Sequence, residues 1–170
     1  AGASPYDIFE HIAADTKSDG FIDDVRDLRR YLMLAEAEIA ARKAGNVEDS
    51  GRGYLDQLQA IADGDVANIE EKERAYGSSW KRRGGIGAFM MFARKFDRIE
   101  QRVSTEIAAT SETPAAQKHN LFQHILADRR TEPLLDDIRD LRRYLVLVEA
   151  EMAARGALEI GTSRDNREKS

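Results

Sequence analysis

The sequence predicts an all-α protein, a helical bundle in which an internally duplicated helical unit flanks a central helical hairpin. Two similar segments, 7–44 and 120–157, align without a gap, and about 22 of their 38 positions are identical. Apolar residues recur at spacings of three and four, which is the period of an amphipathic helix. No stretch of useful length alternates polar and apolar residues as a strand does.

The composition is that of an ordinary folded protein. Of the 170 residues, 42% are hydrophobic and 34% are charged, and no segment is apolar over the roughly 18 residues that a membrane helix needs. The first residues, AGASPYD, lack the basic and apolar segments of a signal peptide. The chain has no cysteine, which excludes disulfides and thiolate metal sites. The net charge of -5 argues against binding to duplex DNA, so any anion site must be local.

Each copy of the repeat predicts a short helix followed by a long one. Segments 8–15 and 121–128 are long enough for one or two turns. The long helices are predicted from apolar stripes with helical spacing. The stripe residues are Val25, Leu28, Leu32, Ala35 and Ile39 in the first copy and Ile138, Leu141, Leu145, Val148 and Met152 in the second. Gly45 and Gly156 stand where such helices usually end, and Pro133 where one can begin.

The centre of the chain, 45–110, predicts a helical hairpin. Its first helix runs to about Arg74, and its second opens at Ala88 or Phe89. The stripe residues are Leu55, Leu58, Ile61, Ala62, Val66 and Ile69 in the first helix and Phe89, Phe92, Phe96, Ile99 and Val103 in the second. We interpret 1–6 as a tail, 111–118 as a linker before the second copy at 119–157, and 158–170 as a disordered tail.

The loop of the hairpin, YGSSWKRRGG, predicts a site for a nucleotide. A loop that leads into a helix presents unpaired backbone N–H groups and the positive end of the helix dipole, and both favour phosphate. Its glycines let the backbone approach a ligand, its cations add charge, and its aromatic rings can stack on a base. The predicted nucleotide-binding residues are Tyr76, Trp80, Lys81, Arg82, Arg83, Gly84, Gly85, Lys95 and Arg98. The alternative is a solvated turn with its tryptophan in the core.

Pairs of aspartates one helical turn apart occur in both copies. Asp137 and Asp140 lie on one helix face, as do Asp24 and Asp27 in the first copy. Two such carboxylates can share a Mg²⁺ ion whose other ligands are waters and phosphates. Asp137 and Asp140 are the first candidates for this site and Asp24 and Asp27 the second. The alternative is that neighbouring arginines neutralise these aspartates in ordinary ion pairs.

Three stretches, YGSSW, ARKFDRIE and LLDDIRDLRRYLVL, resemble the bacterial and phage family called nucleotide modification associated domain 1. Lys95 and Arg98 stand at that family's Lys-x-x-Arg pattern, and Asp137, Asp140 and Tyr144 at its Asp-x-x-Asp-Leu-x-x-Tyr pattern. Such domains are distantly similar to the all-α nucleoside triphosphate pyrophosphohydrolases of MazG type. The resemblance implies nucleotide binding in the cytoplasm of a bacterial host, in modified-nucleotide metabolism linked to DNA modification.

Three functions remain open on these grounds. The first is a phage-type nucleotide-binding protein, with Mg²⁺-dependent (pyro)phosphohydrolysis as its enzymatic form. The second is a non-catalytic protein that sequesters a nucleotide or cyclic nucleotide signal in anti-defence. The third is a structural helical oligomer. In each case we expect a homodimer or a higher homo-oligomer.

Overall fold

The computed structural model describes residues 4–17, 20–45, 52–108, 121–131 and 133–158, without the side chains of 52, 53 and 105–108. These residues form six α-helices and one 3₁₀ turn, and they contain no strand, so the all-α prediction is confirmed. The elements are α1 (Ile8–Ala14), α2 (Phe21–Ala44), α3 (Arg52–Tyr76), the 3₁₀ turn (Ser79–Lys81), α4 (Gly84–Ala108), α5 (Leu121–Ala127) and α6 (Leu134–Ala154). The predicted linker at 111–118, residues 1–3 of the first tail and 159–170 of the last lie outside the described residues.

The central helix of the bundle is α6. It packs along α4 and α2, and it contributes to all three groups of buried apolar residues in the described chain. The five residues of its predicted stripe are at most 1% exposed, which confirms that stripe as core. Among the described helices, none is long and apolar enough to cross a membrane.

Corresponding residues of the two similar segments exchange the same ion pairs. Arg26 Nε of α2 donates to Glu149 Oε1 of α6 over 2.9 Å, and Arg139 Nε of α6 donates to Glu36 Oε1 of α2 over 2.7 Å. Because an early residue of each helix meets a late residue of the other, α2 and α6 run antiparallel. The most similar parts of the two segments therefore face each other at the centre of the bundle.

In both copies, an aspartate stabilises the turn between the short and the long helix by accepting a backbone hydrogen bond. Asp15 accepts a hydrogen bond from the backbone N–H of Phe21 over 2.8 Å, and Asp128 accepts one from that of Leu134 over 2.7 Å. The Phe21 N–H is the main cause of a lowered pKa for Asp15, and the side chain of Arg130 is the main cause for Asp128. Both turns thus use an ionised carboxylate to hold the first backbone N–H of the long helix.

The long helices α2 and α6 end where the glycines predict. Gly45 and Gly156 both have φ of 73°, a left-handed conformation that glycine adopts without strain. After α6, the N–H of Ala157 donates to the carbonyl of Met152 over 3.0 Å, which satisfies one of the last free carbonyls of the helix. In contrast, α4 begins at Gly84, earlier than the predicted Ala88 or Phe89.

Among the long helices, α3 alone has no buried apolar residue in the part of the chain whose side chains are described. Leu55 and Val66 of its predicted stripe are exposed, and Asp65 is its one buried residue among the side chains described. Periodicity correctly predicts the helix, but its apolar face is only partly covered in the single chain. Open apolar faces often serve subunit contacts, and the expected homo-oligomer stays a prediction.

Candidate functional site

A pocket opens between the C-terminal half of α3, the 3₁₀ turn and α6, and we call it the α3–α6 pocket. Its cavity volume is about 220 Å³. Aromatic and apolar side chains form most of its wall, and two cations and two carboxylates converge on it. The aromatic residues are Tyr76, Trp80 and Tyr144, and the charged residues are Lys72, Glu73, Asp140 and Arg143.

The three aromatic residues differ in how firmly they are held. Trp80 is half-buried and packs edge-on against Phe9, with ring centroids 6.1 Å apart. Tyr144 is half-buried in α6; its burial, followed by the negative charge of Asp140, raises the pKa of its hydroxyl. This hydroxyl therefore stays protonated and can donate a hydrogen bond. Tyr76 is exposed at the end of α3.

The two carboxylates of the pocket have different surroundings. Asp140 lies 3.2 Å from Lys72 Nζ and 2.8 Å from Lys95 Nζ. Burial raises the pKa of Asp140, but the Lys95 hydrogen bond and the Lys72 charge outweigh burial, and the pKa lies below its ordinary value. Glu73 accepts a hydrogen bond from Ser78 Oγ over 2.6 Å. No described cation forms an ion pair with Glu73.

The residues predicted for nucleotide binding separate into groups in the structure. Tyr76 and Trp80 line the α3–α6 pocket. Lys81 instead donates to Glu151 of α6. Arg82 and Arg83 are exposed, and neither has an ion-pair partner in the described part of the chain.

The N-terminus of α4 lies against a carboxylate of the chain itself. A Cβ atom built on Gly85 would stand 1.9 Å from Asp7 Oδ1 and 2.7 Å from the backbone N of Phe9. Asp7 also caps α1, because its Oδ1 accepts from the N–H groups of Phe9 and Glu10 over 3.2 Å each. Gly84, with φ of 67°, allows the turn into the helix. Gly84 and Gly85 thus bring α1 and α4 together, at the place where the sequence predicts a phosphate.

Gly85→Ala should destabilise the protein by about 1–3 kcal/mol, because the new methyl group meets the backbone of α1. Gly64→Ala is the matched control, since Gly64 lies within α3 and a Cβ there meets nothing within 4 Å. The control should stabilise by about 0.5–1 kcal/mol, the usual gain of alanine over glycine in a helix. Urea unfolding measures both changes. A Gly85→Ala variant as stable as Gly64→Ala would contradict the close contact of α1 with α4.

Lys95, Arg98 and Asp137 belong to a buried charge cluster between α4 and α6. Asp137 Oδ1 lies 3.2 Å from Lys95 Nζ and 3.4 Å from Arg98 Nε, and its Oδ2 lies 2.7 Å from Arg102 NH1. Lys95 also reaches Asp140, so one ammonium group bridges the two carboxylates predicted to hold Mg²⁺. A metal ion at this pair would have to displace a buried ammonium. Among the described side chains, no three histidines or carboxylates converge on a possible metal position. The arrangement does not favour Mg²⁺, which stays a prediction.

The second candidate pair, Asp24 and Asp27, lies in solvent. Both residues are exposed on α2, and Asp27 pairs with Arg30 over 2.6 Å. The sequence around them repeats that around Asp137 and Asp140 almost residue for residue. The two pairs differ because α4 packs along α6 and covers one of them.

Sequence reasoning did not predict Lys72, Glu73 and Arg143 as nucleotide-binding residues. A signal was present in α3, because Ile69, Lys72 and Tyr76 follow one another at helical spacing toward the loop. Projecting that face back from Tyr76 would have found Lys72. The position of Arg143 follows only from how α3 crosses α6.

No protein-family model matches the chain, no curated protein matches it, and no solved structure matches it. The resemblance to nucleotide modification associated domain 1 therefore stays a prediction.

Proposed function

We propose that the protein binds a nucleotide in the α3–α6 pocket and that it needs no metal ion to do so. The observation that supports this most is the meeting of three aromatic rings with two cations in one small pocket. The base would lie against Tyr76 and Trp80, and the phosphates would lie toward Lys72 and Arg143. The family resemblance adds the proposal that this nucleotide belongs to modified-nucleotide metabolism.

The size of the pocket favours a single nucleotide unit. Its volume of about 220 Å³ is below the range of about 300–1,000 Å³ that is typical for drug-sized ligands. A base with its sugar is the largest part of a nucleotide that suits such a space, so the phosphates would remain at the mouth. A dinucleotide would place its second base outside.

Lys72, one of the two cations of the pocket, is available to a phosphate. In the ion pair of Lys72 with Asp140 the lysine side chain is half-exposed, and solvent-exposed pairs contribute only about 0–1 kcal/mol. Arg94 of α4 is exposed and close enough to Tyr144 to act on its hydroxyl electrostatically. A phosphate group could therefore recruit these cations at little cost to the fold.

The charge cluster beneath the pocket supports binding without hydrolysis. A metal-dependent hydrolase needs carboxylates that are free to hold a cation. Asp137 and Asp140 already share Lys95, and Arg102 and Lys72 supply the further positive charge that neutralises them. We therefore propose metal-free nucleotide binding first and Mg²⁺-dependent hydrolysis of the nucleotide second.

The proposal can be tested with Trp80, the one tryptophan of the chain, as a fluorescent reporter. We expect nucleoside monophosphates to change its emission and to raise the melting temperature, equally in EDTA and in Mg²⁺. Tyr76→Ala should weaken binding roughly 5- to 150-fold, because stacking of one base contributes about 1–3 kcal/mol. Fluorescence titration and thermal unfolding measure these effects.

Tyr31→Ala is the matched control. Tyr31 and Tyr76 are 66% and 70% exposed, but Tyr31 lies on α2, away from the pocket, and its removal should leave affinity unchanged. An equal loss in both variants, or no response to any nucleotide at millimolar concentration, would refute the proposal. Release of phosphate or pyrophosphate that requires Mg²⁺ and disappears in Asp140→Asn would show the hydrolase instead.

A further inference from the structure

Glu73 is the carboxylate of the α3–α6 pocket that no described cation neutralises. Its neighbour Asp140 has Lys72, Lys95 and Arg143 within ion-pair distance. Glu73 has only the hydroxyl of Ser78, which donates to Oε1 and fixes the carboxylate at the end of α3. A carboxylate that is held in place and can accept further hydrogen bonds is suited to recognising the donor groups of a ligand.

The helix places this acceptor beside the stacking surface. Glu73 and Tyr76 are three residues apart in α3, so their side chains lie on one face of the helix. Both line the same pocket as Trp80. A base stacked against these rings would present its polar edge to Glu73.

A carboxylate accepts hydrogen bonds and donates none, which limits the base it can pair with. Guanine offers two parallel donors on one edge, N1–H and the N2 amino group. Adenine and cytosine each place an acceptor beside their amino donor, and uracil places carbonyl acceptors on both sides of its N–H. Guanine is therefore the base that can donate a hydrogen bond to each oxygen of a carboxylate without placing one of its own acceptors against it.

Resting on the proposed function, we infer that the ligand is a guanine nucleotide and that Glu73 selects it. A cationic ligand, such as a quaternary ammonium in an aromatic cage, would also suit the rings and the carboxylate. Lys72 and Arg143 would repel such a ligand, however, whereas they attract the phosphate of a nucleotide. A guanine nucleotide is complementary to the rings, the carboxylate and the cations together.

The test compares GMP, IMP and AMP by Trp80 fluorescence. IMP keeps the N1–H of guanine and lacks its amino group, so we expect GMP to bind about tenfold more tightly than IMP, the effect of one hydrogen bond to a charged group. AMP should bind more weakly than either. Glu73→Gln should weaken GMP about tenfold and improve AMP, because an amide can both donate to adenine and accept from it.

Glu71→Gln is the matched control, since Glu71 is exposed on the same helix and does not line the pocket. It should leave all three affinities unchanged. Equal binding of GMP, IMP and AMP that Tyr76→Ala still weakens would overturn the guanine inference and leave the proposed function standing. If no nucleotide binds, the guanine inference and the proposed function are both refuted.

Discussion

Asp137→Asn should destabilise the protein by about 3–5 kcal/mol, the usual effect of removing one partner from a buried charge cluster. Asp137 is 2% exposed and is surrounded by Lys95, Arg98 and Arg102. Asparagine has nearly the same shape, so the change removes the charge without leaving a cavity. Three cations would then face one another between α4 and α6 with one carboxylate fewer to neutralise them.

Asp24→Asn is the control for this prediction because Asp24 holds the corresponding position in the first copy and is exposed. Its replacement should change stability by less than about 0.5 kcal/mol. Urea unfolding in EDTA measures both variants. If Asp137 were a ligand in a metal site, its loss would leave the metal-free protein equally stable or more stable, as often occurs at functional sites. An Asp137→Asn variant with an unchanged free energy of unfolding would therefore show that the charge cluster does not stabilise the fold.

Most of the fold could be predicted from periodicity, because each long helix carries its apolar residues at helical spacing. The stripe of α6 is buried as expected. That of α3 is only partly buried, since periodicity indicates which face is apolar and not what covers it. The same limit explains Asp24 and Asp137, which share one local sequence and differ in burial because α4 packs along α6.

The candidate site could be predicted only in part. The aromatic residues Tyr76 and Trp80 are recognisable in the sequence because they flank a loop between two helices. The role of the loop glycines was harder to predict, because Gly85 contacts Asp7, which is distant along the chain. Lys95 was predicted as a phosphate ligand from its charge and from the Lys-x-x-Arg pattern that it forms with Arg98. Its carboxylate partners become visible only when α4 is packed on α6.

Arg142→Met should also destabilise the protein by about 3–5 kcal/mol. Arg142 is 1% exposed; it donates to Asp65 of α3 over 2.5 Å and 2.9 Å and to Glu36 of α2 over 2.7 Å. Methionine keeps much of the side-chain volume, so the loss is mainly that of the charge. Two buried carboxylates then remain, and each keeps one cation that is less buried than the lost guanidinium. Arg143 lies 3.0 Å from Asp65, and Arg139 lies 2.7 Å from Glu36.

The corresponding residue of the first copy, Arg29, is the control. Its side chain is 27% exposed, and it contacts Glu149 over 3.3 Å. Arg29→Met should cost less than about 1 kcal/mol, as expected for a partly exposed ion pair. Urea unfolding measures the free energy of unfolding of both variants. Similar decreases in the two would show that burial does not make the ion pairs of Arg142 more stabilising than those of Arg29.

The loss of Arg142 should act first on α3. Because α3 has no fully buried apolar side chain among those described, its attachment depends strongly on Asp65 and on partial packing against α2. Amide hydrogen exchange across α3 should therefore accelerate in Arg142→Met more than exchange across α4. Since α3 carries Lys72, Glu73 and Tyr76, nucleotide affinity should fall with it, although Arg142 does not line the pocket. If α3 kept its protection while the whole protein lost stability, packing on α2 would be what holds it, and the pocket would survive the substitution.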